Sequence, residues 1–319
     1  ELAPQEADLL NLRGISHRRT GAPERAIRDY TRALEQDPVS DLYLRNRAAA
    51  RIDAGQFDQA LTDIEDALVL NPNNGEAYNI LGDLHHAQDQ LESAEAAYLA
   101  GLEVAPFHAL LYIGLSNIEM DRKNPRRAIT YLDQVLKLAP GHAVAYRKRA
   151  VAKATLGDRN AALEDTNAAL RIDPDLADAY ADRGVIYLLS DLPELAIRDL
   201  NAAIERAPEN GNTWYNRGRA RLKLNDPAAA ASDLETALRL APDHVQAFLS
   251  LADARKNLGE PQAALAALEG AIAAGGAPVV SMLQAYLKSS LRGYGGAETG
   301  VYDAATRDAL IACLNTPSC

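Results

Sequence analysis

The chain has 319 residues, 48% hydrophobic and 24% charged, a balance that excludes intrinsic disorder. Its formal net charge of −11 excludes nucleic acid as the main partner, because phosphate binding needs a basic face. No long uninterrupted apolar run occurs, so no membrane span is expected.

At the start, residue 1 is Glu, and the only methionines are Met120 and Met282. The first residue therefore reads as a processed mature end or an artificial boundary, and a cleaved leader would leave no trace. From there proline sets the rhythm. Pro38, Pro72, Pro106, Pro140, Pro174, Pro208 and Pro242 stand 34 residues apart, and Pro23, Pro125, Pro193, Pro227 and Pro261 keep a second phase of the same period. Proline suits the turn after a helix or the first position of the next, so two phases mean two helices per unit. Between them one position reads Gly21, Gly55, Asp89, Lys123, Gly157, Asp191, Asn225 and Gly259. Gly and Asn there suit a helix end in the left-handed conformation, and Lys123 is the poor fit.

With Pro38 counted as position 32, position 20 is alanine in every unit, from Ala26 to Ala264. Position 8 is always Gly, Ala or Ser, and position 27 is Ala or Gly except at Val135. Small side chains there let two helices meet closely. Position 4 carries large ones (Leu10, Leu44, Tyr78, Tyr112, Tyr146, Tyr180, Trp214, Phe248) that can fill the space between stacked units.

These residues resemble the tetratricopeptide repeat family. The resemblance covers residues 7–276 as eight units (7–40, 41–74, 75–108, 109–142, 143–176, 177–210, 211–244 and 245–276), and only the last departs, with Gly276 in the proline slot. It implies an all-α, right-handed α-solenoid of helix–turn–helix repeats whose first helices line a concave groove. Residues 1–6 are then an N-terminal extension, and residues 277–319 a C-terminal cap.

Comparing units with one another predicts a pairing. Position 7 is Arg13, Arg47, Arg149, Arg183 and Arg217 in five units, and position 23 is Asp29, Asp63, Asp165, Asp199 and Asp233 in the same five. The other three have Leu81, Leu115 and Leu251 with Ala97, Tyr131 and Ala267. The joint presence and absence predicts structural salt bridges between the two helices of one repeat: Arg13–Asp29, Arg47–Asp63, Arg149–Asp165, Arg183–Asp199 and Arg217–Asp233.

No catalytic constellation is legible, and no cofactor or metal is expected. His108, His142 and His244 recur at position 34, too far apart in neighbouring repeats to share a metal. No P-loop occurs, and Cys313 has no evident base partner.

In the family, positions 2, 5, 9 and 12 of the first helices build most of the groove. Here they place Leu110, Ile113, Asn117, Met120, Val144, Arg147, Val151, Val185 and Leu188 at its centre, and Tyr215 and Arg219 toward one end. An apolar centre with a polar rim is expected to bind a protein or peptide. The Lys/Asn/Arg clamp that some members use on chaperone tails is not reproduced. Asn46 stands where one clamp asparagine could be, with Asn11, Ile15, Glu76 and Ile80 in place of the basic set.

After Gly276, Val279, Val280, Leu283, Tyr286, Leu287 and Leu291 recur at helical spacing, as in a capping helix. The run Leu283-Gln284, Leu287, Leu291, Gly293-Tyr294, Gly296, Gly300-Val301-Tyr302, Thr306, Ala309-Leu310 is similar to part of a helical peptidoglycan-binding module. Local signals read it as a helix over 304–314 with Asp303 as N-cap. Cys313 and Cys319 could close a small disulfide in an oxidising compartment, or stand as two thiols.

The resulting expectation is a non-enzymatic interaction scaffold in the bacterial periplasm or cell envelope, with a protein or peptide partner and peptidoglycan as a further one. The alternatives are a cytoplasmic assembly chaperone or regulatory scaffold, and the repeat part of a larger enzyme.

Overall fold

A computed structural model describes residues 4–291 and 294–316, apart from the side chains of residues 4 and 5. Among the described residues the regular structure is entirely helical. In chain order the helices are α1 (Pro4–Arg19), α2 (Pro23–Gln36), α3 (Asp41–Asp53), α4 (Phe57–Leu70), α5 (Gly75–Ala87), α6 (Leu91–Val104), α7 (Ala109–Asp121), α8 (Pro125–Leu138), α9 (Ala143–Thr155), α10 (Arg159–Ile172), α11 (Ala177–Leu189), α12 (Pro193–Arg206), α13 (Gly211–Lys223), α14 (Pro227–Leu240), α15 (Val245–Asn257), α16 (Pro261–Ser290) and α17 (Ala304–Leu314). They form two compact units, residues 1–158 with α1–α9 and residues 159–319 with α10–α17. Each is an α-solenoid in which a helix packs on its sequence neighbours and, more lightly, on the helix after next.

The repeat chemistry explains the helix ends. Proline occupies the first turn of α2, α8, α12, α14 and α16, where its missing N–H costs no bond. Asn74 and Asn210 cap α5 and α13 by accepting from backbone N–H groups. The turn between paired helices is left-handed in every unit, with φ of 70° at Gly21, 59° at Asp89, 60° at Lys123 and 57° at Asn225. Lys123 therefore adopts the same conformation as glycine without glycine's freedom.

The small positions are close helix contacts. Ala26, Ala60, Ala94, Ala128, Ala162, Ala196, Ala230 and Ala264 are completely buried. A Cβ added at Gly14 would stand 2.6 Å from the Tyr30 ring, so the large residue of one helix sits over the small one of its mate.

The second unit ends in a built cap. α16 runs past the last repeat turn, broken by a non-helical φ of 62° at Gly276 just before Pro278. It is the one described helix with the length and composition of a membrane span, at a mean hydropathy of 1.6, which the sequence reading did not expect. Much of its apolar surface is already covered: Leu265, Leu268, Ala271, Val279, Leu283 and Leu287 join one core with Leu310 and Cys313 of α17. Asp303 caps α17 by accepting from the Thr306 N–H at 2.8 Å.

Candidate functional site

Four of the expected charge pairs are in contact within their repeats. Arg13, Arg47, Arg183 and Arg217 each hold Asp29, Asp63, Asp199 and Asp233 through two bonds, at 2.6–2.9 Å. Arg149 and Asp165 lie in different units. Arg149 donates to Asp133 at 2.6 Å, and Asp165 is buried. The carboxylates are nearly inaccessible, so bidentate contact offsets their desolvation. Hydrogen bonding to Arg13 holds the Asp29 carboxyl below its ordinary range despite burial.

Sequence comparison missed a second arm on two of these carboxylates. Arg221 Nη1 lies 2.8 Å from Asp233, and Arg51 Nη1 donates to Asp63 at 2.5 Å. The signal was present: position 11 is His17, Arg51, Lys153 and Arg221 in four of the five Asp-bearing units.

In the first unit, α1, α3, α5 and α7 line a cleft of about 360 Å³ with polar and apolar walls. Arg18, Asn46, Asp53, Glu76, Asn79, Asp83 and Leu110 are among its walls. Arg18 is held by Asp53 at 2.6 Å, and Asn46 donates to Asn11 at 2.7 Å. Asp83 accepts from the Tyr98 hydroxyl at 2.6 Å and from Asn79 at 3.2 Å. Burial pushes the Asp83 carboxyl above the usual aspartate range, with the Tyr98 bond opposing. Three acidic side chains against one arginine make the cleft repel a carboxylate and attract a cation. Leu110 is one of the expected groove residues, and Arg18, Asn79 and Asp83 stand at groove positions 12, 5 and 9 of their repeats.

The structure divides the residues expected to form an apolar groove. Leu110 and Val151 are exposed, at 42% and 37%. Met120, Val144, Arg147, Val185, Tyr215 and Arg219 are half-buried, as is Asn117, which accepts from Lys148 at 2.8 Å. Ile113 and Leu188 are corrections: both are buried, Ile113 with Leu132, Val135 and Leu136, Leu188 with Ala196, Leu200 and Ala220. A first-helix side chain at these positions is covered once the next helix pair stacks on it. Arg219 lies over the Tyr215 ring at 5.5 Å and donates to Asn216.

Two of the three position 34 histidines serve their own helices. His142 and His244 accept from Ala145 and Ala247 as N-caps, and His108 meets Glu76 at 3.1 Å. Among the described residues no three His, Cys, Asp or Glu side chains gather as a metal site would require.

The terminal motif turns inward. Gln284 is buried, donates to Thr306 at 3.0 Å and to the Val301 carbonyl at 3.1 Å, and accepts from the Gly300 N–H at 3.1 Å. Thr306 is equally buried. Cys313 packs in the core, while the expected Cys313–Cys319 bridge, like Gly293 of the motif, falls partly outside the described residues.

Two tetratricopeptide repeat descriptions match the chain, one over residues 45–109, 113–177 and 215–278 and the other over 177–210. The chain is 38% identical over 91 residues to the small glutamine-rich tetratricopeptide repeat-containing protein 2 of Mycosarcoma maydis, covering 28% of this chain and 26% of that one. It is 35% identical over 98 residues to the heat-shock protein cognate (HSC) co-chaperone sgt12 of Aspergillus fumigatus, covering 31% and 29%. It thus spans under a third of the length of these relatives. Among solved structures, the APC/C hetero-tetramer Cut9-Hcn1 shares the fold at a TM-score of 0.71 and 18% identity, covering 84% of this chain and 53% of that one. With matches across well over half of its residues, the chain belongs to the tetratricopeptide repeat family.

Proposed function

We propose that the chain is a non-enzymatic scaffold that holds a protein segment in the cleft of its first unit. The observation that carries this is the cleft's origin: its lining comes from the first helices α1, α3, α5 and α7 alone. Successive first helices repeat polar groups along one face, which suits an extended peptide better than a compact metabolite. The acidic balance favours a segment with a Lys or Arg side chain, and disfavours one recognised by its terminal carboxylate.

The co-chaperone name of the Aspergillus fumigatus relative supports the assembly-chaperone reading over the envelope adaptor. We read the array as eight repeats by its 34-residue period, and the terminal segment as a cap rather than a peptidoglycan-binding module, since Gln284 and Thr306 point into the core. Co-sedimentation of the full chain with purified peptidoglycan tests that last reading, and specific retention would overturn it.

The main test is selection of displayed random peptides on the full chain. Enriched peptides should carry a basic residue and lose binding to Asp83→Asn and Leu110→Lys. Binding that neither change weakens would move the site elsewhere.

A further inference from the structure

In the second unit the last repeat and its cap enclose a space of their own. At the break near Gly276, α16 is pressed against α15: a Cβ added at Gly275 would stand 3.0 Å from the Val245 side chain. Farther along, α16 is tied to α17 by the bond from Gln284 to Thr306. Between α15, α16 and α17 lies a pocket of about 310 Å³. Its floor belongs to the core, with Leu268, Leu283 and Leu310 all buried. Met282 and Tyr286 also line it, yet they are 45% and 47% exposed, so large apolar side chains face solvent there.

The rim is charged. Asp253 and Lys256 of α15 contribute to the lining, at groove positions 9 and 12 of the last repeat. Asp253 accepts from Asn257 at 3.4 Å. Lys256 is the one half-buried Lys or Arg among the described residues that has no ion-pair, hydrogen-bond or ring partner. Half-buried cations nearby are answered, as Arg221 is by Asp233 and Arg255 by Glu260. A carboxylate brought beside Lys256 gains more than it would at a fully exposed lysine, because less water screens the pair.

We propose that this pocket is a second peptide-binding site, which takes one bulky apolar side chain of a partner protein together with an Asp or Glu beside it in the partner's sequence. The pocket covers the apolar anchor, and Lys256 pairs with the carboxylate. A concave apolar space of this size with one placed charge is the usual form of a ligand site, and a pocketed anchor is the usual centre of a recognition surface. The opening beside groove positions of α15 gives an extended chain a face to continue along, which favours a protein segment over a free acyl chain. The charge preference is opposite to that of the first unit's cleft, and the two sites share no residue, so either can fail alone.

The test selects displayed random peptides on the full chain carrying Asp83→Asn and Leu110→Lys, so that the first unit's cleft does not contribute. Enriched sequences should pair a large apolar residue with a neighbouring Asp or Glu. The two methionines then report the site, Met282 at the pocket and Met120 in the first unit. With isotope-labelled methionine methyl groups, a selected peptide should shift the Met282 resonance saturably and leave that of Met120 in place. Lys256→Met should weaken binding about tenfold, the loss expected for one charge-assisted bond, and Lys256→Arg should retain it. Met282→Glu should abolish binding with the melting temperature nearly unchanged, since Met282 is already exposed. The proposal is overturned if no such peptide enriches, or if those that do leave Met282 unshifted or bind Lys256→Met equally well. Decanoate that shifts Met282 where no peptide enriches overturns it too, and assigns the pocket to a free acyl carboxylate.

Discussion

The hydroxyl of Tyr98, on the second helix of its repeat, donates to Asp83, on the cleft face of the first, at 2.6 Å. The contact fixes the cleft wall from behind, and it holds the carboxyl among crowded neighbours although the residue stays open to solvent. For this group the folded pKa is raised by burial above the unfolded value near 3.8. Below the unfolded value both states hold the proton, and Asp83 carries no ionisation penalty. As pH rises through the folded value, the native state must ionise a crowded group and loses stability, by an amount that solvent contact keeps small. Asp83→Asn keeps an acceptor for Tyr98 and removes the ionisation. Urea unfolding at pH 3 and pH 7 should show the variant gaining on the parent at the higher pH. A stability difference that does not vary with pH would mean that Asp83 is well solvated.

The paired carboxylates behave differently. Asp233 is buried between Arg217 and Arg221, both mostly covered. Asp233→Ala strands two guanidinium groups and should cost about 3 kcal/mol, the low end for breaking a buried pair because both arginines keep some contact with water. Asp29→Ala should cost clearly less, since Arg13 already lies largely in solvent. Denaturant midpoints of the two variants check the ranking, and equal losses would contradict it.

Lys123 holds a left-handed φ of 60° that its neighbours in the series fill mostly with Gly, Asp or Asn. Lys123→Gly should stabilise the chain by about 0.5–1 kcal/mol, relief of the left-handed strain exceeding the added freedom of the unfolded chain. A lower melting temperature would show that the lysine side chain contributes a contact worth more than the strain.

Much of this architecture is legible in the sequence because the 34-residue period repeats the same experiment along one chain. Proline locates the helix starts, and Lys123 is recognisable as a misfit because its equivalents are so uniform. The Arg–Asp contacts emerge because both partners vanish together. The bonds that Arg47, Arg183 and Arg217 make to the preceding repeat escape the same logic: their acceptors Thr31, Asn167 and Asn201 are not one residue type and share only the ability to accept. The apolar groove fails in part for another reason. Position alone does not say which first-helix side chains the next repeat will cover, so Ile113 and Leu188 read as surface although they are core. The cleft of the first unit is legible in part: Arg18, Glu76, Asn79 and Asp83 stand at groove positions of the repeat, whereas Asn46 and Asp53 lie at positions 6 and 13 beside them.

The location of binding rests on three substitutions that separate cleft, core and apolar middle. Leu110 is 42% exposed and lines the cleft, Val151 is 37% exposed on α9 outside it, and Ile113 is buried. Leu110→Lys should leave the melting temperature nearly unchanged, since the ammonium stays in water in the free protein. In a complex it removes an apolar contact and places a cation against a basic ligand, so cleft-selected peptides should bind at least tenfold more weakly. Val151→Glu should leave both folding and this binding intact. Ile113→Lys should cost about 3 kcal/mol or more, because the charge must be buried unpaired or expelled with the packing of its cluster. Calorimetry with one selected peptide measures all three. Loss of binding with Val151→Glu and its retention with Leu110→Lys would move the ligand to the apolar first-helix residues of α9, and a normal melting temperature for Ile113→Lys would mean that this side chain faces the groove.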